Sequence, residues 1–247
     1  QTCALPILGA ATGAFSIPLS KMGYDVTHFD LSQDMIDKAK DKSQGIGNIK
    51  FIKGNAIDLS LFKEDEFDLV LCFDGAISFS GKNSNKVIKE SCRVGKKLML
   101  TVSSKSCMVA TWLNYSLSKF GRIHPSVKDM MVAGYFNKAN YDDVSELTSI
   151  DEIKAYDIKE LYDILISYNM RVIECRSLGS LTHLYLLHLY RQYSTKEVNE
   201  ISLDSEFVEL CDYYDKEVMN SGMGSFRRAG IIAIAEKIND NSIEKSK

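Results

Sequence analysis

Two hydrophobic periods alternate along the first hundred residues. Tyr24-Asp25-Val26-Thr27-His28-Phe29 alternates and is rich in β-formers, which predicts a strand. Ile49 to Ile52 predicts another. Phe67-Asp68-Leu69-Val70-Leu71-Cys72-Phe73 and Lys97-Leu98-Met99-Leu100-Thr101-Val102 are nearly continuous apolar runs, as strands covered on both faces require. Between these runs the period lengthens. Phe15 to Met22 predicts a helix with Pro18 in its first turn. Ser32 reads as the N-cap of a helix with Met35, Ile36 and Ala39 on one face. A third helix is predicted over Ser84 to Cys92. Strands and helices in this order predict a parallel, doubly wound α/β sheet.

The pattern changes in the second half. Residues 105–153 hold Trp112, several tyrosines and scattered charges, with weak helical periodicity. Asp157 to Tyr168 predicts an amphipathic helix and Arg171 to Cys175 a strand. Leu181 to Tyr193 and Glu206 to Met219 predict two more helices, and Arg228 to Glu236 a final strand. There is no internal repeat, and three prolines in 247 residues leave no Pro-rich linker. The expectation is one domain over 1–247, with inserts at about 105–153 and 181–225. The polar run 239–247 is expected to fray. At the other end, Gln1 to Ile7 stands where a first strand is expected, yet Pro6 cannot donate to a ladder. The first strand is therefore expected to be truncated, with the natural protein extending further upstream.

Composition narrows the classes. A net charge of −3 gives no general attraction to nucleic acid, although a local basic patch stays open. The six cysteines are scattered without C-x-x-C spacing, which argues against a metal centre and for thiols in a reducing compartment. No apolar run approaches the roughly 20 residues that span a bilayer. No secretory signal is expected, since no basic start followed by an apolar core is read. A soluble cytoplasmic protein is expected.

Chemistry enters at Leu8-Gly9-Ala10-Ala11-Thr12-Gly13. A glycine turn between a first strand and a helix lets backbone approach a nucleotide closely. Alone such a loop is as readily a tight turn. Asp30 adds to it, because a carboxylate closing the next strand can accept bonds from both ribose hydroxyls. Dinucleotide sites place a second glycine where the pyrophosphate crosses the helix N-terminus. Ala11 stands there, and its methyl group crowds that approach. S-adenosylmethionine has no pyrophosphate, so the loop favours it while NAD stays open.

These residues resemble the class I S-adenosylmethionine-dependent methyltransferases. Leu8 to Ser16 is similar to the family's first motif, and Phe29-Asp30-Leu31-Ser32 with Met35 to Ala39 to its second strand and helix. Gly54-Asn55-Ala56 is similar to the turn after the third strand, where a polar side chain meets the adenine. Phe67 to Asp74 is similar to the fourth strand, whose end lines the methionine moiety. The resemblance implies a mostly parallel seven-stranded sheet with an antiparallel last strand, a Rossmann-like fold. Arg228 to Glu236 would be that strand and Arg171 to Cys175 its partner, with Lys154 to Leu161 leading into the helix before it. The implied cofactor residues are Gly9, Ala10, Ala11, Gly13, Asp30, Leu31, Asn55, Ala56, Cys72 and Phe73. Two positions depart from the family. Ile7 stands where an acid usually helps hold the methionine ammonium, and Ala11 replaces the middle glycine.

Methyl transfer displaces a leaving group already activated by charge, so alignment and water exclusion matter more than a catalytic signature. After the fourth strand the chain reads Asp74-Gly75-Ala76-Ile77, without the Pro-Pro-Tyr that accompanies amide or adenine amino methylation. Cys72 lacks a Pro-Cys setting and reads as a buried strand thiol. Trp112, Tyr115, His124, Tyr135, Tyr156 and His183 are candidates to line an acceptor pocket, against ordinary packing for each. His124 and His183 are the leading general-base candidates, followed by Tyr156. Leu184, Leu187 and Leu189 suggest an apolar helix in core, lid or dimer face. Lys82, Lys86, Arg227 and Arg228 are candidates for an anionic acceptor, against solvated charge. A small-molecule acceptor is favoured over RNA. An NAD-dependent oxidoreductase and a non-catalytic nucleotide-binding protein remain as alternatives.

Overall fold

Apolar runs that can be covered on both faces become the central strands. In this computed structural model, residues 3–73, 75–143, 150–179, 189, 191–200, 205–214 and 230–238 are described. The strands are β1 (Ala4–Leu8), β2 (Asp25–Asp30), β3 (Ile49–Lys53), β4 (Val70–Cys72), β5 (Lys97–Ser103), β6 (Tyr135–Asn137), β7 (Glu152–Lys154), β8 (Met170–Leu178) and β9 (Gly230–Lys237). Seven form one sheet in the order β3-β2-β1-β4-β5-β9-β8. β1 to β5 pair in parallel, whereas β9 runs antiparallel to both β5 and β8. The sheet is therefore mostly parallel and seven-stranded with an antiparallel last strand, as the sequence predicts. β6 and β7 pair separately as an antiparallel hairpin.

The helices are α1 (Ser16–Lys21), α2 (Gln33–Lys42), α3 (Ser84–Val94), α4 (Lys105–Phe120), α5 (Pro125–Ala133), α6 (Ile158–Ser167), α7 (Thr195–Glu200) and α8 (Ser205–Tyr213). Ser32 caps α2, accepting from the Met35 N–H at 3.4 Å, and Asp157 caps α6, accepting from the Glu160 N–H at 2.8 Å. Alternation along the strands divides the sheet's two faces. Leu8, Phe29, Cys72, Leu98, Leu100 and Ala233 pack with Val87 and Ile88 of α3 and Leu161 and Leu165 of α6. Leu5, Ile7, Val26 and Leu71 pack on the opposite face with Leu19 of α1.

Three expectations are corrected. Pro6, read as unsuited to a sheet ladder, lies inside β1, which pairs with β2 on one side and β4 on the other. Ala4 exchanges bonds with Asp68, its N–H donating to Oδ2 at 3.2 Å and its carbonyl accepting from the Asp68 N–H at 3.0 Å. Pro6, two residues on, faces the same neighbour. Its missing donor is tolerated because regular β1–β4 pairing begins only at Ile7. β4 in turn is shorter than the predicted 67–73, because the Asp68 side chain replaces a ladder bond there. Finally, weakly periodic 105–153 contains two well-formed helices, α4 and α5, each ended by a left-handed glycine, Gly121 and Gly134. Their periodicity is weak because each buries few side chains. Trp112, Val127, Met130, Phe136, Ile153 and Ala155 make a small core of their own.

The predicted helix over Leu181 to Tyr193 lies mainly outside the described residues, as do Arg227, Arg228 and the end of the helix predicted to Met219. Among the described residues no helix is long and apolar enough to cross a membrane, and no cluster of His, Cys, Asp and Glu fits a metal ion.

One interaction fixes the long β3–β4 connection that leads away from Asn55. Arg93 of α3 donates to the carbonyls of Phe62 and Leu59 at 2.9 and 2.8 Å. Glu90 accepts from the Leu59 N–H at 3.0 Å and pairs with Arg93 at 2.7 Å. The Arg93 hydrogen bond holds the Glu90 carboxyl below its ordinary value. Its contribution to stability is therefore full above the unfolded value of about 4.3 and is lost as pH falls through the lower folded value. Arg93→Ala is expected to lower unfolding free energy by about 1–3 kcal/mol at neutral pH. Urea melts should show that difference shrinking below about pH 4; a pH-independent difference would remove the ion pair from the account.

Candidate functional site

The carboxyl ends of β1, β2, β3 and β4 meet around a cleft of about 340 Å³. The glycine loop forms its floor. Gly9 and Gly13 adopt φ of 70° and 89°, and Ala11 adopts φ 47° despite its Cβ. The left-handed region costs a non-glycine residue about 1 kcal/mol. The loop is held from β2: the Phe29 carbonyl accepts from the N–H groups of Gly9 and Ala10 at 2.9 and 3.1 Å. Asp30 Oδ2 accepts from the Ala11 N–H at 2.7 Å, and Oδ1 from the Ser32 N–H at 2.8 Å. Asp30 is thus a nearly buried carboxylate compensated by two backbone donors.

Beneath the loop, His28 is fully buried beside Ser16, with Nδ1 2.9 Å from the Ser16 hydroxyl oxygen. Burial pushes its pKa below the ordinary value, partly opposed by Asp30 and the Ala11 backbone, so the ring is neutral at neutral pH.

Of the residues that sequence places at a cofactor, Gly9, Ala11, Asp30, Leu31, Asn55 and Ala56 line this cleft. Asn55 Oδ1 accepts from the Ile57 N–H at 3.0 Å, fixing the turn after β3. Ala10 turns into the sheet core instead, and Gly13 lies against Ile17 at the start of α1. Cys72 is buried in the main core, and burial pushes its thiol up to about 12. Phe73 packs against Phe15 in a tilted arrangement with ring centroids 4.9 Å apart. Asp74 lies outside the described residues.

The structure adds Phe29, Met35, Gly54, Gly75, Ala76, Phe79 and Ser80 to the cleft. Met35 is corrected from the core face of α2: Ile36 and Ala39 are buried, whereas Met35 is exposed toward the cleft. The segment after β4 reaches over the loop closely enough that a Cβ on Gly9 would lie 2.7 Å from the Ala76 Cβ. Gly75, at φ 102°, leaves room for the Phe79 ring, and a Cβ there would collide with it. Gly75 after a predicted strand is the signal that the sequence offers for this wall. Phe79, an isolated apolar residue among polar ones, offers none.

The catalytic candidates lie elsewhere. His124 is the N-cap of α5: Nδ1 accepts from the Ser126 N–H at 3.2 Å, and Nε2 lies 2.8 Å from Asp143 Oδ1. This geometry assigns the proton to Nε2 and commits both nitrogens to structure. Tyr156 is fully buried, its hydroxyl donating to Asn85 Oδ1 at 2.9 Å, and burial raises its pKa further. Neither lines the cleft. His183, Leu184 and Leu187 lie outside the described residues. Trp112 belongs to the small core, Tyr135 donates to Glu152, and Tyr115, Lys82 and Lys86 are exposed.

Residues 7–97 match the family described as methyltransferase domain, and this stretch contains every described residue that lines the cleft. Over this stretch the chain is similar to methyltransferase domains. It is 29% identical over 114 residues to the magnesium-protoporphyrin O-methyltransferase of Rhodobacter capsulatus, covering 44% of this chain and 50% of that protein. The chain therefore spans about half the length of this curated relative. Among solved structures, an S-adenosylmethionine-dependent methyltransferase of Methanosarcina mazei superposes with TM-score 0.60 at 20% identity, over 97% of this chain and 94% of that one. The magnesium protoporphyrin IX methyltransferase of Synechocystis, with S-adenosylhomocysteine bound, superposes with TM-score 0.54 at 15% identity, over 96% and 75%. At such identities these likenesses show the fold alone.

The contact between Gly9 and Ala76 makes the floor of the domain testable. Gly9→Ala adds both a left-handed Cβ and a collision, and is expected to cost about 1–3 kcal/mol. Ala76→Gly in the same chain should recover the collision part in chemical denaturation. An additive double variant would show that the two positions do not touch.

Proposed function

We propose that this chain binds S-adenosylmethionine in the cleft and transfers its methyl group to a small-molecule acceptor. The observation that carries the reading is Asp30, a nearly buried carboxylate at the end of β2, held beside the glycine loop and facing Asn55 across one cleft. Each Asp30 oxygen accepts one backbone N–H and keeps a lone pair for a ribose hydroxyl. Asn55 would meet the polar edge of the adenine, since its Oδ1 already serves the turn and its amide N–H groups remain to donate. Leu31, Met35, Ala56 and Phe79 offer apolar surface to the base. Strand order supports this arrangement: the ends of β2 and β3 lie on one side of the β1 loop, and the segment after β4 lies on the other.

When bound, S-adenosylmethionine supplies a methyl group on a positively charged sulfur. The chain's own tasks are then to hold the nucleoside, orient the acceptor and exclude water. Ile7 is buried among Leu5, Val26 and Leu71, so it offers no carboxylate to an ammonium. His124 and Tyr156 are not proposed as bases, because their polar atoms serve the fold. The small-molecule acceptor is supported by the relative whose name specifies magnesium-protoporphyrin. That compound is the first acceptor to assay, followed by metabolite extracts with mass-spectrometric detection of methylated products.

Calorimetric titration with S-adenosylhomocysteine, S-adenosylmethionine and NAD tests the reading. Binding of the two sulfur compounds and not NAD is expected; tight binding of NAD alone would overturn it. Asp30→Ala is expected to weaken S-adenosylhomocysteine binding by about 1–3 kcal/mol, the range for lost charge-assisted hydrogen bonds. An unchanged dissociation constant in the folded variant would remove Asp30 from the site.

A further inference from the structure

We propose that Glu152 is a positioning residue for this cleft: a carboxylate on the β6–β7 hairpin that sets the cleft wall formed after β4. The inference rests on the reading of the cleft as a nucleoside site. Glu152 lies outside the matched 7–97 stretch and 70 residues from its contact at Lys82.

Three observations converge on it. Glu152 Oε1 accepts from the Lys82 N–H at 2.8 Å and from the Tyr135 hydroxyl at 2.5 Å. Asn137 Nδ2 supports Tyr135 from behind, donating to its oxygen at 3.3 Å. Gly81 bends the intervening chain at φ 53°, and a Cβ there would fall on the Glu152 side chain. The segment is thus shaped to receive a carboxylate at one point. Charge on the acceptor strengthens both bonds.

The same segment carries the wall. Residues Ser78–Asn83 form a 3-10 turn, stiffened on both sides. The Phe79 N–H donates to the Gly75 carbonyl at 2.8 Å, and the Ser80 hydroxyl donates to the Ala76 carbonyl, also at 2.8 Å. The Ser84 hydroxyl donates to the Gly81 carbonyl. Fixing Lys82 therefore fixes Phe79 and Ser80, three and two residues earlier. Phe79 is 57% exposed, so little else packs its ring in place. A hairpin latch without further role would explain the bonds to Tyr135, but it predicts no effect in the cleft.

The test uses the full chain with S-adenosylhomocysteine as probe, and hydrogen–deuterium exchange on the free protein. Glu152→Ala is expected to weaken binding on the order of tenfold, as loss of bonds to a charged acceptor implies, and to speed exchange over residues 75–83. Glu152→Gln keeps an oxygen at the same place and is expected to stay within about threefold of wild type. A folded Glu152→Ala protein with unchanged affinity would overturn the proposal. So would faster exchange confined to 135–154, or a Glu152→Gln variant as impaired as alanine. If Glu152→Ala does not fold, Tyr135→Phe removes one of the two bonds and should show the same two changes at smaller size; no change would count against the latch. If wild type fails to bind the probe, the proposed function falls, and exchange over 75–83 alone decides the coupling.

Discussion

The cleft depends on one carboxylate. Asp30 accepts from the Ala11 N–H in the loop and from the Ser32 N–H at the start of α2, and its carbonyl accepts from the Gly54 N–H at the end of β3. A single residue thereby joins two segments distant in the chain, the loop and the end of β3, to the local turn that leads into α2. It also accounts for Ala11, whose left-handed backbone is unfavourable in isolation. The bond at 2.7 Å offsets that strain, so the loop keeps its shape without a glycine at this position.

Around this point the molecule is layered by strand alternation. One sheet face packs on α3 and α6, the other on α1, and the antiparallel β9 closes the order between β5 and β8. The first four strands supply the cleft, within the stretch that is similar to methyltransferase domains. Beyond β5 the chain is built differently: two helices and a hairpin pack around a separate small core and touch the 3-10 turn beside the cleft through Glu152. This second subregion thus meets the cleft through a polar joint.

Features set by near neighbours are legible in the sequence. Gly9 and Gly13 announce positive φ, Ser32 announces a cap, and Asp30 closes a strand whose alternation is plain. Period alone does not tell which outward-facing residue meets solvent and which meets a cleft, and this is why Met35 reads as core-facing. The length of β4 depends on whether the Asp68 side chain or its backbone meets Ala4, a choice between chemically similar bonds. Pro6 misleads for a related reason, since the strand's partner on that side has no regular pairing to lose. His124 shows the limit of residue type: an imidazole suited to proton transfer is used to cap a helix and to bind Asp143. Glu152 owes its place to a contact 70 residues away along the chain, and no local pattern marks it.

Trp112 gives the small core a property of its own. It is the chain's single tryptophan, it is buried, and its ring centroid lies 5.2 Å from that of Phe136. Intrinsic indole emission therefore reports on α4, α5 and the hairpin alone, while circular dichroism is dominated by the sheet and its helices. Two optical signals in one molecule can separate loosening of this subregion from global unfolding. The same tube of protein then shows whether occupancy of the cleft is felt at the indole.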